Sequence, residues 1–523
     1  MTLSIKCLSG AAALVFLAGQ VPWTDAIQPS REIARERGPE IFNAIHNSMR
    51  QWGSSLHHNG MSAFLATVPK GTLLYHGNTA PESPAEPDWL SYEVEHAEQF
   101  ARDFRPPPRN DTGPPGSPPY DIMPPDYRHD QQHLLSRAED EVNRGWLHVY
   151  QATRPLQLLY VDGMGGAKSR IGSLDFQDYL LRGTRSVYHD FPKPGARVSG
   201  GGPMGERERA NELCQLSNEW GLDGVIRMEA GFEIIKCDFA DGLEEVQALP
   251  RRIAGSGPPP RHQFWIHQLE YMRGVAERYH GIGSSRTTVD YSSMVSAFFF
   301  PINLTNPNSE RSDLPRLSNA LDEELADIRT YLVRTIEGRR EKYLASVDWQ
   351  GVADLIVGRY ADRIEYMATK INSTGVMAAE LDFLLDLFID YSETNELSGA
   401  IPRCTNFYLT ATFASSEIDQ LIFDAFQTVT SHICTTLFRA RELVAKDSLT
   451  GNNQSLAASK DILTSLMESL RWSRFMRSPA CEVDEAVFIP MWPFGTKQEY
   501  GNPHCIDISA VRREGESYWG QED

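Results

Sequence analysis

The sequence predicts an α+β N-terminal domain, built from small mixed sheets with helices. A mainly α-helical, disulfide-containing C-terminal domain follows it. Three observations predict this division. Short apolar runs bounded by glycine and proline recur up to about residue 250, the mark of strands and turns. Long segments with helical periodicity dominate from residue 317 onward. Between them lies a linker at 251–262, carrying Gly255-Ser256-Gly257-Pro258-Pro259-Pro260. The chain of 523 residues is long enough for several cores, and its 41% hydrophobic and 23% charged residues are ordinary globular values. A formal charge of −20 argues against a nucleic-acid-binding surface, which needs a basic stripe.

Residues 1–26 read as a signal peptide. Lys6 supplies the positive start, 8–18 is a short apolar stretch, and Thr24-Asp25-Ala26 offers small residues for cleavage. No later apolar run approaches the ~18 residues of a membrane span, so no stable membrane anchor is expected and the localisation is extracellular. Cys7 leaves with the leader, and six cysteines remain. An even number in an oxidising compartment points to disulfides, with Cys214–Cys237, Cys404–Cys434 and Cys481–Cys505 favoured by proximity. Sequons at Asn110, Asn303, Asn372 and Asn453 agree with a secreted glycoprotein.

Taken in order, 27–250 forms the first domain. Residues 31–70 read as helical, with Ile41, Phe42, Ile45 and Met49 on one face. Leu73-Leu74-Tyr75 is a buried strand ending in His76-Gly77. Trp89-Leu90-Ser91-Tyr92 is a second short element, and 93–104 a helix with Val94, Ala97, Phe100 and Ala101 on one face. A proline-rich insertion occupies 105–126. Strands follow at 146–150 and 156–161, then a helix over 206–220. Val225-Ile226-Arg227-Met228 and 232–237 form a hairpin about Glu229-Ala230-Gly231. Residues 238–262 read as increasingly linker-like. In the second half, 295–302 is strand-like, and helices are expected at 317–344, 349–370, 376–391, 415–446 and 457–472. The tail 481–519 is irregular and aromatic, read as a disulfide-pinned plug over the helical core.

Several familiar catalytic signatures are absent: no G-x-S-x-G, no H-E-x-x-H and no G-x-x-x-x-G-K-[ST]. The glycine run 200–205 sits in a polar, proline-containing loop and reads as a connector. His129 and His133 share a helical spacing, but a third ligand and a base are not supplied nearby, so no metal site is assigned.

One constellation carries chemistry. Leu74-Tyr75-His76-Gly77 ends a strand. Ser91-Tyr92 precedes a helix bearing Ala97, Phe100 and Ala101. Gly221-Leu222-Asp223-Gly224-Val225-Ile226 leads to the Glu233-bearing strand Phe232-Glu233-Ile234-Ile235. In order and spacing this resembles the ADP-ribosyltransferase superfamily, in its histidine–tyrosine–glutamate branch, over residues 60–245.

The resemblance implies NAD as the substrate cofactor. His76 would bind the adenosine ribose, and the Gly77 backbone would hold nicotinamide. Ser91 and Tyr92 would form the facing element, with Tyr92 stacked on the nicotinamide ring. Glu233 would be the catalytic carboxylate, stabilising the oxocarbenium-like charge as nicotinamide leaves. Residue 231 is glycine, so the paired acid or glutamine of arginine-modifying members is absent and the acceptor, protein or small molecule, is open. The implied activity is transfer of ADP-ribose from NAD or hydrolysis of NAD. The alternative is a non-enzymatic secreted binding protein on a degenerate scaffold of this type. The two part on whether His76, Tyr92 and Glu233 line one cleft.

Overall fold

A computed structural model describes residues 26–101, 144–169, 171–183, 205–251, 270–274, 286–341, 346–392, 397, 399–450, 454–477, 480–488, 495–507 and 518–519. Residues 1–25 of the stretch read as a signal peptide, the stretch 105–126 read as an insertion, His129 and His133, residues 200–204, residues 252–262 of the stretch read as a linker and the sequons at Asn110 and Asn453 lie outside the described residues.

The chain is α+β, with a large mixed sheet in the first half and helices in the second. Three short helices open it: α1 (Arg31–Glu36), α2 (Gly38–His46) and α3 (Gln51–Leu56). Ser30 caps α1 by accepting the Ile33 N–H, and Ile41, Phe42 and Ile45 bury one face of α2. The helical reading of 31–70 ends too late, because β1 (Ser62–Val68) is a strand. Then come β2 (Leu73–Asn78), β3 (Asp88–Ser91), α4 (Val94–Phe100), β4 (Trp146–Ala152), β5 (Leu156–Val161), α5 (Glu206–Glu219), β6 (Gly224–Met228) and β7 (Phe232–Lys236).

Two further strands depart from the sequence reading, one in kind and one in its bounds. Residues read as linker form β8 (Leu243–Pro250), a largely exposed strand paired with β4. The strand expected at 295–302 is β9 (Thr288–Ser296), followed by one tight turn at Ala297–Phe299. The nine strands run in the order β8-β4-β2-β3-β7-β6-β5-β1-β9. Their pairings are antiparallel except for β5 with β6. Between β2 and β3 the ladder is a single pair, Tyr75 with Ser91, so the sheet opens there.

The helical half packs directly on this sheet. Phe42 of α2 lies 4.7 Å from Phe426 and 5.7 Å from Trp472, ring centre to ring centre. Asp419 accepts from Ser292 Oγ on β9 at 2.7 Å and from Trp349 Nε1 at 2.9 Å. One continuous apolar core therefore runs from the sheet into the helices Asp322–Glu341, Trp349–Thr369, Thr374–Leu385, Glu417–Thr450 and Gln454–Leu470. All three disulfides form as expected: Cys214–Cys237, Cys404–Cys434 and Cys481–Cys505. The last clips a two-stranded ribbon, Glu485–Phe488 with His504–Asp507. Tyr518 and Trp519 are buried, with ring centres 5.4 and 5.1 Å from that of His58, so this end of the tail docks beside α3. Among the described residues no helix is long and apolar enough to cross a membrane.

Gly77 shows how closely α4 seats on β2. A Cβ there would stand 2.0 Å from the Ala97 carbonyl oxygen and 2.7 Å from the Ala101 nitrogen. Gly77→Ala should therefore lower unfolding free energy by roughly 1–3 kcal/mol in denaturant titration, the usual cost of overpacking. An unchanged midpoint would show that α4 does not sit against this strand.

Candidate functional site

Register places the chemistry. Ser91 of β3 pairs with Glu233 of β7, and Glu233 pairs with Arg227 of β6. Cross-strand partners share a face, so these three side chains form a row across the sheet. Arg227 is fully buried. Its Nε donates to Glu233 Oε1 at 2.8 Å and its Nη1 to Gln177 Oε1 at 3.1 Å, while Nη2 bonds Glu206 Oε2.

The network extends from there. Glu206, the first residue of α5, also pairs with Arg209 and lies 3.7 Å from Lys168 Nζ. Its position suits the positive end of the helix. Arg209 reaches Asp178 Oδ1 at 2.9 Å, and Asp178 pairs with Arg182 at 3.0 Å. Lys168 donates to Glu229 Oε2 at 2.7 Å. Asp178, Glu206, Glu229 and Glu233 thus face Lys168, Arg209 and Arg227 in the interior, and half-buried Arg182 closes the edge between Asp178 and the partly exposed Glu212. Buried charges persist only when paired this completely.

The acids are not equivalent. Burial alone would push the Glu206 carboxyl up, but Arg227, Lys168 and Arg209 outweigh it and hold it well below the usual carboxylate range. Burial pushes Glu233 up to about 7, with Glu229 adding like-charge repulsion against the pull of Arg227. Above this row stands His96 on α4, buried, its Nδ1 without a hydrogen bond among the described residues and its pKa lowered by burial to about 4. Tyr271 meets the His96 ring edge-on at 5.9 Å and feels the charges of Glu229 and Glu233. The arrangement offers a near-neutral carboxyl, a neutral imidazole and a lysine in one buried region.

The structure brings Ser91 and Glu233 together as register neighbours, but it separates His76 from them. Tyr75 is the partner of Ser91, so His76, next along β2, points to the opposite face. There its Nδ1 bonds the Trp89 carbonyl at 2.7 Å, and its ring packs 5.8 Å from that of His148 and 5.5 Å from Phe239. Burial lowers its pKa, and Nε2 has no hydrogen bond among the described residues. Gly77 has its α-carbon capped by α4. Tyr92 is buried, its hydroxyl 2.7 Å from Thr287 Oγ1 and the Arg286 guanidinium 5.9 Å over its ring.

Sequence reasoning missed Arg227, Glu206, Lys168, Glu229, His96 and Tyr271. Arg227 was findable: a hairpin turning at 229–231 must set 227 opposite 233. The others come from separate elements, which no local pattern joins.

Residues 23–252 match the family model of the YPL277C N-terminal domain, a stretch that spans β1–β8 and every member of the ion-pair cluster. The chain is similar to two proteins of Saccharomyces cerevisiae. One is the uncharacterized protein YOR389W, 25% identical over 553 residues, covering 90% of this chain and 84% of the relative. The other is the uncharacterized protein YPL277C, 26% identical over 416 residues, covering 68% and 80%. No solved structure matches.

Arg227→Met leaves Glu233 with no cation at bonding distance among the described residues and removes one of three from Glu206, and should cost about 3–5 kcal/mol of stability, read by denaturant unfolding. A second expectation concerns pH. A carboxyl raised from 4.5 to about 7 in the folded state favours folding when protonated, so its contribution is full below pH 4.5 and is lost as pH rises through 7. Comparing unfolding free energies at those two pH values, Glu233→Gln should show a smaller loss than the wild type. An equal loss in both proteins would mean that Glu233 titrates normally.

Proposed function

We propose that the first half of the chain is an ADP-ribosyltransferase-like scaffold that serves binding, not turnover of NAD. The observation that carries this reading is the division of the implied site residues: His76 lies on one face of the sheet, while Ser91 and Glu233 lie on the other. Glu233 is also engaged by Arg227 at 2.8 Å, whereas a carboxylate that stabilises a departing nicotinamide must face the ribose. The three disulfides support an oxidising compartment and hence a secreted binding protein.

A second reading, NAD cleavage, has one observation in its favour. Glu233 is shifted to about 7 beside Ser91, and shifted carboxyls concentrate at catalytic centres. Incubating the full chain with NAD labelled in its nicotinamide separates the two. The binding reading expects release no faster than in buffer, identical in wild type and Glu233→Gln. Release that the wild type catalyses and the variant loses would establish the enzyme instead.

A further inference from the structure

Two of the sequons, at Asn303 and Asn372, lie among the described residues, and both fall on exposed, irregular backbone. Asn303 follows the tight turn at Ala297–Phe299. Its Oδ1 accepts the Thr305 backbone N–H at 2.9 Å, which fixes the amide: the oxygen is used by the chain and Nδ2 is left over. The backbone around it is held on both sides. Arg37 Nη2 donates to the Ile302 carbonyl at 2.7 Å, and the Arg316 N–H donates to the Leu304 carbonyl at 3.0 Å. Asn319 Nδ2 donates to the Thr305 carbonyl at 2.9 Å.

Asn372 has the same freedom by another route. It is exposed two residues ahead of the helix Thr374–Leu385, beside the exposed N-cap Ser373. Ile371, just before it, is buried, and its carbonyl accepts from Lys460 Nζ at 3.1 Å. The backbone is therefore anchored while the Asn372 side chain stands in solvent.

Neighbouring asparagines show that exposure alone is not the signal. Asn308 is exposed and makes the same turn as Asn303, its Oδ1 accepting the Glu310 N–H at 3.0 Å, but residue 310 carries no hydroxyl. Asn306 is buried, its Nδ2 is spent on the Leu314 carbonyl at 3.1 Å, and Pro307 follows it. Among the described residues, Asn303 and Asn372 alone join an exposed amide to a threonine two positions on.

We infer that Asn303 and Asn372 are sites of N-glycosylation, each carrying an oligosaccharide on Nδ2. The donor class is a lipid-linked oligosaccharide pyrophosphate. Its anomeric carbon–oxygen bond breaks, that carbon bonds to Nδ2, the amide gives up one proton, and the lipid pyrophosphate leaves; nothing is oxidised or reduced. Both modifications require the secretory route, the reading proposed for this chain, and neither depends on whether NAD is cleaved. A bulky, hydrated group at each position closes the surrounding surface to a tightly packed protein partner.

The test produces the full chain in a eukaryotic secretory host, once with its own first 26 residues and once with a proven leader in their place. Secreted protein is treated with an amidase in heavy-oxygen water, which turns each glycan-bearing asparagine into a labelled aspartate, and its peptides are mapped by mass spectrometry. Label is expected at Asn303 and Asn372 and not at Asn308. Thr305→Val should abolish the first label while keeping the N–H that Asn303 accepts, and Thr374→Val should abolish the second. Should either variant stay inside the cell, Asn303→Gln or Asn372→Gln takes its place and should lose one glycan in gel mobility. Secreted chain bare at a position, label at Asn308, or label that survives loss of the threonine hydroxyl overturns that site and leaves secretion standing. A chain that needs the substituted leader, or stays inside with either, overturns the secretory reading and both sites with it.

Discussion

The buried guanidinium of Arg227 is the interaction on which the first half depends. It joins β6 to β7 through Glu233, to α5 through Glu206, and to the helical turn Phe176–Leu181 through Gln177. No apolar residue could replace those three directions of bonding. Yet one cation is shared by two carboxylates in a medium where unpaired charge is costly. Glu206 also has Arg209 and Lys168 and remains ionised; among the described residues Glu233 has Arg227 alone at bonding distance and is driven toward neutrality. The asymmetry of the two acids follows from how many bases each can reach.

That asymmetry bears on function. A carboxyl near neutrality beside a lysine and a neutral histidine has the electrical character of a reactive site, but its geometry is that of a structural knot. Lys168 is held by Glu229, and the serine hydroxyl at position 91 is spent on the carbonyls of Tyr75 and Glu93.

How much of this was legible in the sequence varies with the range of the interaction. The β6–β7 hairpin, α5 and the long helices declare themselves through local periodicity, and nearest-neighbour pairing of cysteines holds because each pair closes a short local loop. β8 was read as linker because Glu244, Glu245 and Gln247 give it the polarity of an exposed segment, which an outermost strand can tolerate. The order of strands was not legible, since β1 finds its partners in β5 and β9 across long separations. His76 and Ser91 look like neighbours in function, and only the pleat of the strands reveals that they face apart. His96 and Tyr271 meet through tertiary folding alone.

The placement of β9 has a consequence for anyone cutting the chain. The stretch that matches the family model ends at residue 252, yet β1 is bonded along one side by Thr288–Ser296. A fragment stopped at that boundary would bare the outer hydrogen-bonding groups of β1, whose Ala63, Phe64, Ala66 and Val68 are all buried in the intact protein. Such an apolar, unpaired rim is a template for adding strands from other molecules. The autonomous unit therefore extends at least to Ser296, and the shorter piece is a recipe for insoluble protein.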